Sequence, residues 1–175
     1  MNKVMTVIYI SERSKKGNQS LDDLFNFLIP MAPTRIMIAL DRNSEEVSNY
    51  IQKKFPGLPV DTLECNISGT KDQEVSAADL EVKRKILSLG IETLAKYVDS
   101  NFKNMYDLNS EVTVSLFRAF FQFYSNAMPS DYEVFYEYRR LCILGKIVKK
   151  KPENGDILIV SPWDAYWFMD ELEKS

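Results

Sequence analysis

An α/β fold, with a small parallel sheet unit followed by a helical unit that closes on a β-hairpin, is predicted by three observations. Between residues 4 and 65, β-branched apolar runs alternate with capped amphipathic stretches, the rhythm of strand–helix–strand units. One long helical pattern then separates this part from a second half rich in aromatic residues. Finally, a basic segment, the turn Pro152–Asp156 and an apolar run stand in sequence, the order of a hairpin.

The elements follow in order. Val4 to Ile10 is β-branched and apolar, a buried strand. Ser20 caps the next helix, with Asp22 and Asp23 in its first turn. Its apolar face is Leu21, Leu24, Phe25, Leu28 and Ile29, and Pro30 ends it. Arg35 to Leu40 is the second strand. Ser44-Glu-Glu-Val opens a helix that stops at Pro56-Gly57, and Val60 to Cys65 is the third strand. Uninterrupted apolar strands fit a sheet covered on both faces, and short strand–helix joins imply parallel pairing. This gives a small Rossmann-like unit over residues 1–75.

Residues 76–100 read as a long connecting or dimerisation helix. Leu80, Leu87 and Leu94 repeat every seven positions, with Ile91 and Val98 as a second row. This spacing predicts packing on the sheet or a homodimer through residues 77–98. Ser110 then caps an aromatic helix carrying Phe117, Phe120, Phe121, Phe123 and Tyr124, expected to be buried nearly all round. Met128-Pro129 breaks it. Ser130-Asp-Tyr-Glu133 is a capping box for a helix through Val134, Phe135, Tyr138, Leu141 and Cys142, which Gly145 should stop. Lys146 to Lys150 is read as a strand, Asn154-Gly155 as the turn pair, and Ile157 to Val160 as the return strand. Ser161-Pro162 opens a last short helix. Residues 101–175 thus form a winged-helix-like domain with an acidic aromatic C-terminal helix.

Composition limits the chemistry. The 175 residues carry a net charge of −3, so contact with nucleic acid must come from a local patch. That patch is Arg139, Arg140, Lys146, Lys149, Lys150 and Lys151, with no acid among them. The lysines, on a wing, would neutralise phosphates, and Arg139 and Arg140 at the end of the recognition helix favour DNA. Asp131, Glu133 and Glu137 on the preceding helix oppose this, and a protein partner is the alternative. The sequence has no histidine, which removes histidine-activated nucleophiles, histidine-ligated zinc and histidine proton shuttles. Cys65 and Cys142 are far apart without Cys-x-x-Cys spacing. They read as reduced thiols of a cytoplasmic protein. The segment MNKVMTVIYI has too short an apolar run for a signal peptide.

Two loops at carboxyl ends of strands are candidate anion sites. One contains Ser11, Arg13 and Lys15, and the other is Ser68-Gly69-Thr70-Lys71. Small residues, a glycine and a lysine ahead of a helix can cradle a phosphate, although GxxxxGK[ST] spacing is absent. No resident cofactor or metal is expected. Ser68-Gly-Thr-Lys71 after a strand is similar to the Gly-Thr-Lys loop of CRISPR-associated Rossmann-fold regulators. The order of α/β unit, linker helix and winged helix also resembles theirs. The resemblance implies a sensor of cyclic oligonucleotides, on four residues and an architecture. The first loop lacks the glycine-rich pattern of that family.

Two other sites are in view. Trp163, Tyr166, Trp167 and Phe168 would make a partner-binding hot spot if exposed. Glu12, Asp41 and Asp61 or Glu64 at strand ends would be the carboxylates of a metal-dependent hydrolase. No complete catalytic signature is present. The favoured expectation is a non-enzymatic regulator or adaptor that contacts DNA or RNA through the basic wing. A small phosphate ligand would modulate it. The alternative is a protein-interaction module, such as a viral or mobile-element accessory factor.

Overall fold

The computed structural model describes residues 5–10, 21–40, 42–65, 77–101, 104–129 and 136–174. Four strands, β1 (Met5–Tyr9), β2 (Arg35–Ala39), β3 (Val60–Thr62) and β4 (Asp156–Val160), form one parallel sheet in the order β1-β4-β2-β3. Around it lie α1 (Leu21–Leu28), α2 (Ser44–Lys54), α3 (Ala77–Asn101), α4 (Met105–Leu108), α5 (Glu111–Ala127), α6 (Tyr138–Lys149) and α7 (Pro162–Lys174).

The mixed α/β class and the parallel sheet agree with the sequence reading. The hairpin does not. Ile157–Val160 is no return strand: β4 pairs in parallel with β1 on one side, Ile8 opposite Ile159, and with β2 on the other, Ile38 opposite Ile159. All five residues of β4 are buried, because a central strand is covered on both faces. Its apolar run DILIV is thus a core strand, and the same composition would also have suited a hairpin.

Lys146 to Lys150 is likewise no strand. Gly145 does not stop α6, which runs through it to Lys149. The buried residues Arg140, Ile143 and Ile147 share one helix face, and their packing overrides the β-branched pair Ile147-Val148. The true stop is Lys151, at a left-handed φ of 50°, followed by Pro152. The Arg35 guanidinium completes that end by donating to the carbonyls of Lys150 and Lys151 at 3.1 and 3.3 Å, a cation at the negative end of a helix dipole.

The expected units at residues 1–75, 76–100 and 101–175 share elements of one sheet and core. β4, from the third predicted unit, lodges between two strands of the first. One core runs through both, from Ile8, Ile36 and Leu158 to Phe117, Phe121 and Phe168. Within α3 the expected dimer rows face inward: Leu87 and Val98 are buried and Leu94 packs on the core. A Cβ at Gly90 would lie 2.7 Å from the Phe120 ring, so this glycine permits the close approach of α3 and α5. The aromatic helix α5 is buried on one side only. Phe123 is 59% exposed, while Phe117 and Phe121 are in the core.

Candidate functional site

The six cations that are neighbours in sequence are spread over the molecule by α6. Twelve helical residues span roughly 18 Å, and α6 lies antiparallel to β3. Cys142 is bonded to Cys65, the Lys146 ammonium donates to the carbonyl of Glu64, and Lys150 pairs with Asp61 at 2.9 Å. Cys142, Lys146 and Lys150, the last at the helix C-cap, are four apart, hence on one face. They tie the helix to the edge strand of the sheet, which blunts an otherwise open edge. The two cysteines therefore form a disulfide, contrary to the reduced thiols expected.

Arg139 and Arg140 belong to the opposite end of α6, at the carboxyl edge of the sheet. Arg139 donates to the carbonyl of Ala39 at 3.0 Å and pairs with Asp164. Arg140 is wholly buried. It donates to Asp164 at 2.7 Å, to the carbonyl of Trp163 at 2.6 Å and to the Tyr166 hydroxyl at 3.2 Å. Its guanidinium lies 5.2 to 6.0 Å from the ring centroids of Tyr166, Tyr136, Phe121 and Trp167, an aromatic box of cation–π geometry. A buried charge needs both a counter-ion and saturated donors, and Asp164 with its neighbours supplies them. Neither arginine is placed to meet a phosphate in solvent. Lys149 and Lys151 do have exposed side chains.

At the amino edge, Asp156 accepts from Thr34 at 3.2 Å and from the backbone N–H of Glu153 at 2.8 Å, and it pairs with Arg35. Burial pushes the Asp156 carboxyl upward, but the hydrogen bonds and the Arg35 charge outweigh it and hold the group below its ordinary range. The hydrogen bond to Asp156 raises Arg35 in turn. Arg35 Nε is buried without a hydrogen-bond partner among the described residues. This cluster joins the α6 terminus, β2 and β4, and its chemistry is structural.

The remaining expected sites are distributed as follows. Ser11, Arg13, Lys15, Ser68, Gly69, Thr70 and Lys71 lie outside the described residues, as do Glu12 and Asp41. Asp61 is occupied by Lys150, and among the described residues no three Cys, Asp or Glu side chains converge as a metal site. Of the residues of the expected hot spot, Phe168 and Tyr166 are buried, and Trp163 and Trp167 are partly covered. Trp163 meets Phe117 edge-on at 6.0 Å, because α7 packs between α5 and β1.

Large apolar side chains are exposed elsewhere. On α3 they are Val82, Ile86, Leu89 and Tyr97, and on α5 Val112 and Phe123, each at least 50% exposed. A shallow depression of about 420 Å³ on α5 is lined by Glu111, Val112, Ser115, Leu116 and Ala119. Tyr138, Leu141 and Val148 form a further stripe on α6. The α3 stripe was missed because its heptad leucines drew attention to the inner row. A second row at 82, 86 and 89 was readable by the same spacing. Among the described residues, no helix is long and apolar enough to cross a membrane. No protein-family model, curated protein or solved structure matches the chain.

Proposed function

We propose that this chain is a protein-interaction module, a non-enzymatic adaptor whose helices dock other protein surfaces. The observation that carries the reading is the pair of exposed apolar stripes on α3 and α5. Exposed apolar side chains gathered on helices mark interaction sites, and helical stripes are a common docking mode. The basic segment supports nucleic-acid binding poorly, since Arg139, Arg140, Lys146 and Lys150 are engaged within the protein. Lys149 and Lys151, with Lys146 exposed but bonded to the Glu64 carbonyl, are a weak phosphate footprint. The disulfide favours an oxidising compartment over the cytoplasm.

The test is site-specific photo-crosslinking in cells that express the protein. A crosslinker at Leu89 is compared with one at Glu45, on α2, which packs on α1, β2 and β3. Protein adducts at Leu89 and none at Glu45 would support the module. In parallel, fluorescence anisotropy with a generic DNA duplex at low salt should show no binding. Salt-sensitive binding lost in Lys149→Glu/Lys151→Glu would overturn the reading in favour of a nucleic-acid regulator.

A further inference from the structure

We propose that the face shared by α3 and α5 seats a second copy of this chain, with the two α3 helices antiparallel about a two-fold axis. The inference rests on the interaction reading above and names its partner. Val82, Ile86, Leu89 and Tyr97 are 59%, 59%, 55% and 50% exposed and lie on one side of α3. Val82, Ile86, Leu89 and Thr93 follow spacings of four, three and four, a short coiled-coil seam, and Tyr97 lies beside its end, one position past the next heptad place. The seam is distinct from the inner row of Leu87, Leu94 and Val98. Val112 and Phe123 on α5, 65% and 59% exposed, flank the Gly90–Phe120 crossing. Together the six side chains expose on the order of 600 Å², the upper end of what a solitary domain shows. That approaches the roughly 800 Å² per side of a standard interface.

Charge selects the partner and its direction. Lys85 and Glu92 border the seam, and both side chains are exposed. In an antiparallel pair centred between Leu87 and Ser88, Ile86 lies beside the partner subunit's Leu89 and Val82 beside the partner subunit's Thr93. Lys85 then faces the partner subunit's Glu92. The two-fold axis repeats every contact. A parallel pair would set Lys83-Arg84-Lys85 beside its own copy, like charge against like. The stripe is therefore self-complementary in one orientation.

Sedimentation velocity on the full chain at low and moderate salt tests this. Wild type should be a dimer that salt weakens. Lys85→Glu and Glu92→Lys should each weaken it roughly tenfold, because each places like charges opposite one another twice. The double variant Lys85→Glu/Glu92→Lys should restore it. Both positions are exposed, so circular dichroism should show all variants folded. Wild type that stays monomeric at its highest soluble concentration would overturn the proposal, as would a dimer indifferent to the single reversals. The crosslinker at Leu89 separates the two ideas. A monomer captured there by a different protein leaves the module standing and removes self-pairing, whereas a monomer with no adduct removes both.

Discussion

Asp164 holds two arginines at once, and one of them, Arg140, has no exposure. Asp164→Ala would leave that guanidinium buried without its counter-ion, and we expect a loss of about 3–5 kcal/mol in urea unfolding. The pair was invisible in the sequence because Asp164 looked like a helix-start acid and Arg139-Arg140 like part of a basic run. Charge sequences show which residues are near in the chain, and burial depends on what folds over them. Asp156 makes a second expectation at this scale. Its folded carboxyl sits below the unfolded value of 3.8. The stabilisation it contributes is therefore complete above that pH and disappears as pH falls through the lower folded value. Asp156→Asn should be less stable than wild type at neutral pH, and the gap should narrow below about pH 4. Thermal melts of both proteins from pH 7 to pH 3 would read it.

At the scale of elements, α6 departs furthest from expectation. Its central glycine has the reputation of a stop signal, yet Gly145 lies inside the helix with nothing within 4 Å of an added Cβ. Gly145→Ala should stabilise the protein by roughly 0.5–1 kcal/mol, measured by chemical denaturation, since alanine loses less backbone freedom and meets no clash. β1 and β2 were legible from their apolar runs, and α1, α2 and α3 from their helical spacing of apolar residues. Ser110 was legible too, accepting from the Thr113 N–H as the sequence implied. The failure at residues 146–150 has a physical cause. Alternation over five residues is a weak signal, and the row Arg140, Ile143 and Ile147 crosses Gly145, a residue type that commonly ends helices. The candidate site was less legible than the fold. An exposed apolar row looks the same in sequence as a buried one.

For the whole molecule, the decisive facts are the place of β4 in the sheet and the bond from Cys65 to Cys142. The disulfide closes 77 residues, which include α3 to α5. In the chain-entropy account a loop of that size is worth about 4 kcal/mol. Cys65→Ser/Cys142→Ser, or wild type with reductant, should lose about that much stability in urea. A loss near zero would mean that Lys146 and Lys150 suffice to hold α6 on β3. The sheet order was beyond reach of the sequence. Each strand looks alike locally, and nothing in residues 156–160 states that their neighbours are residues 5–9 and 35–39. That placement also governs how the molecule comes into being. The first two strands have no contact with one another until the strand between them exists. At about 5–20 residues per second, a ribosome delivers it roughly 8–30 s after the first. For most of that interval the nascent chain carries β1 unpaired and β2 paired on one side only, with β3, so its safe folding depends on what shields those apolar edges before the sheet can close.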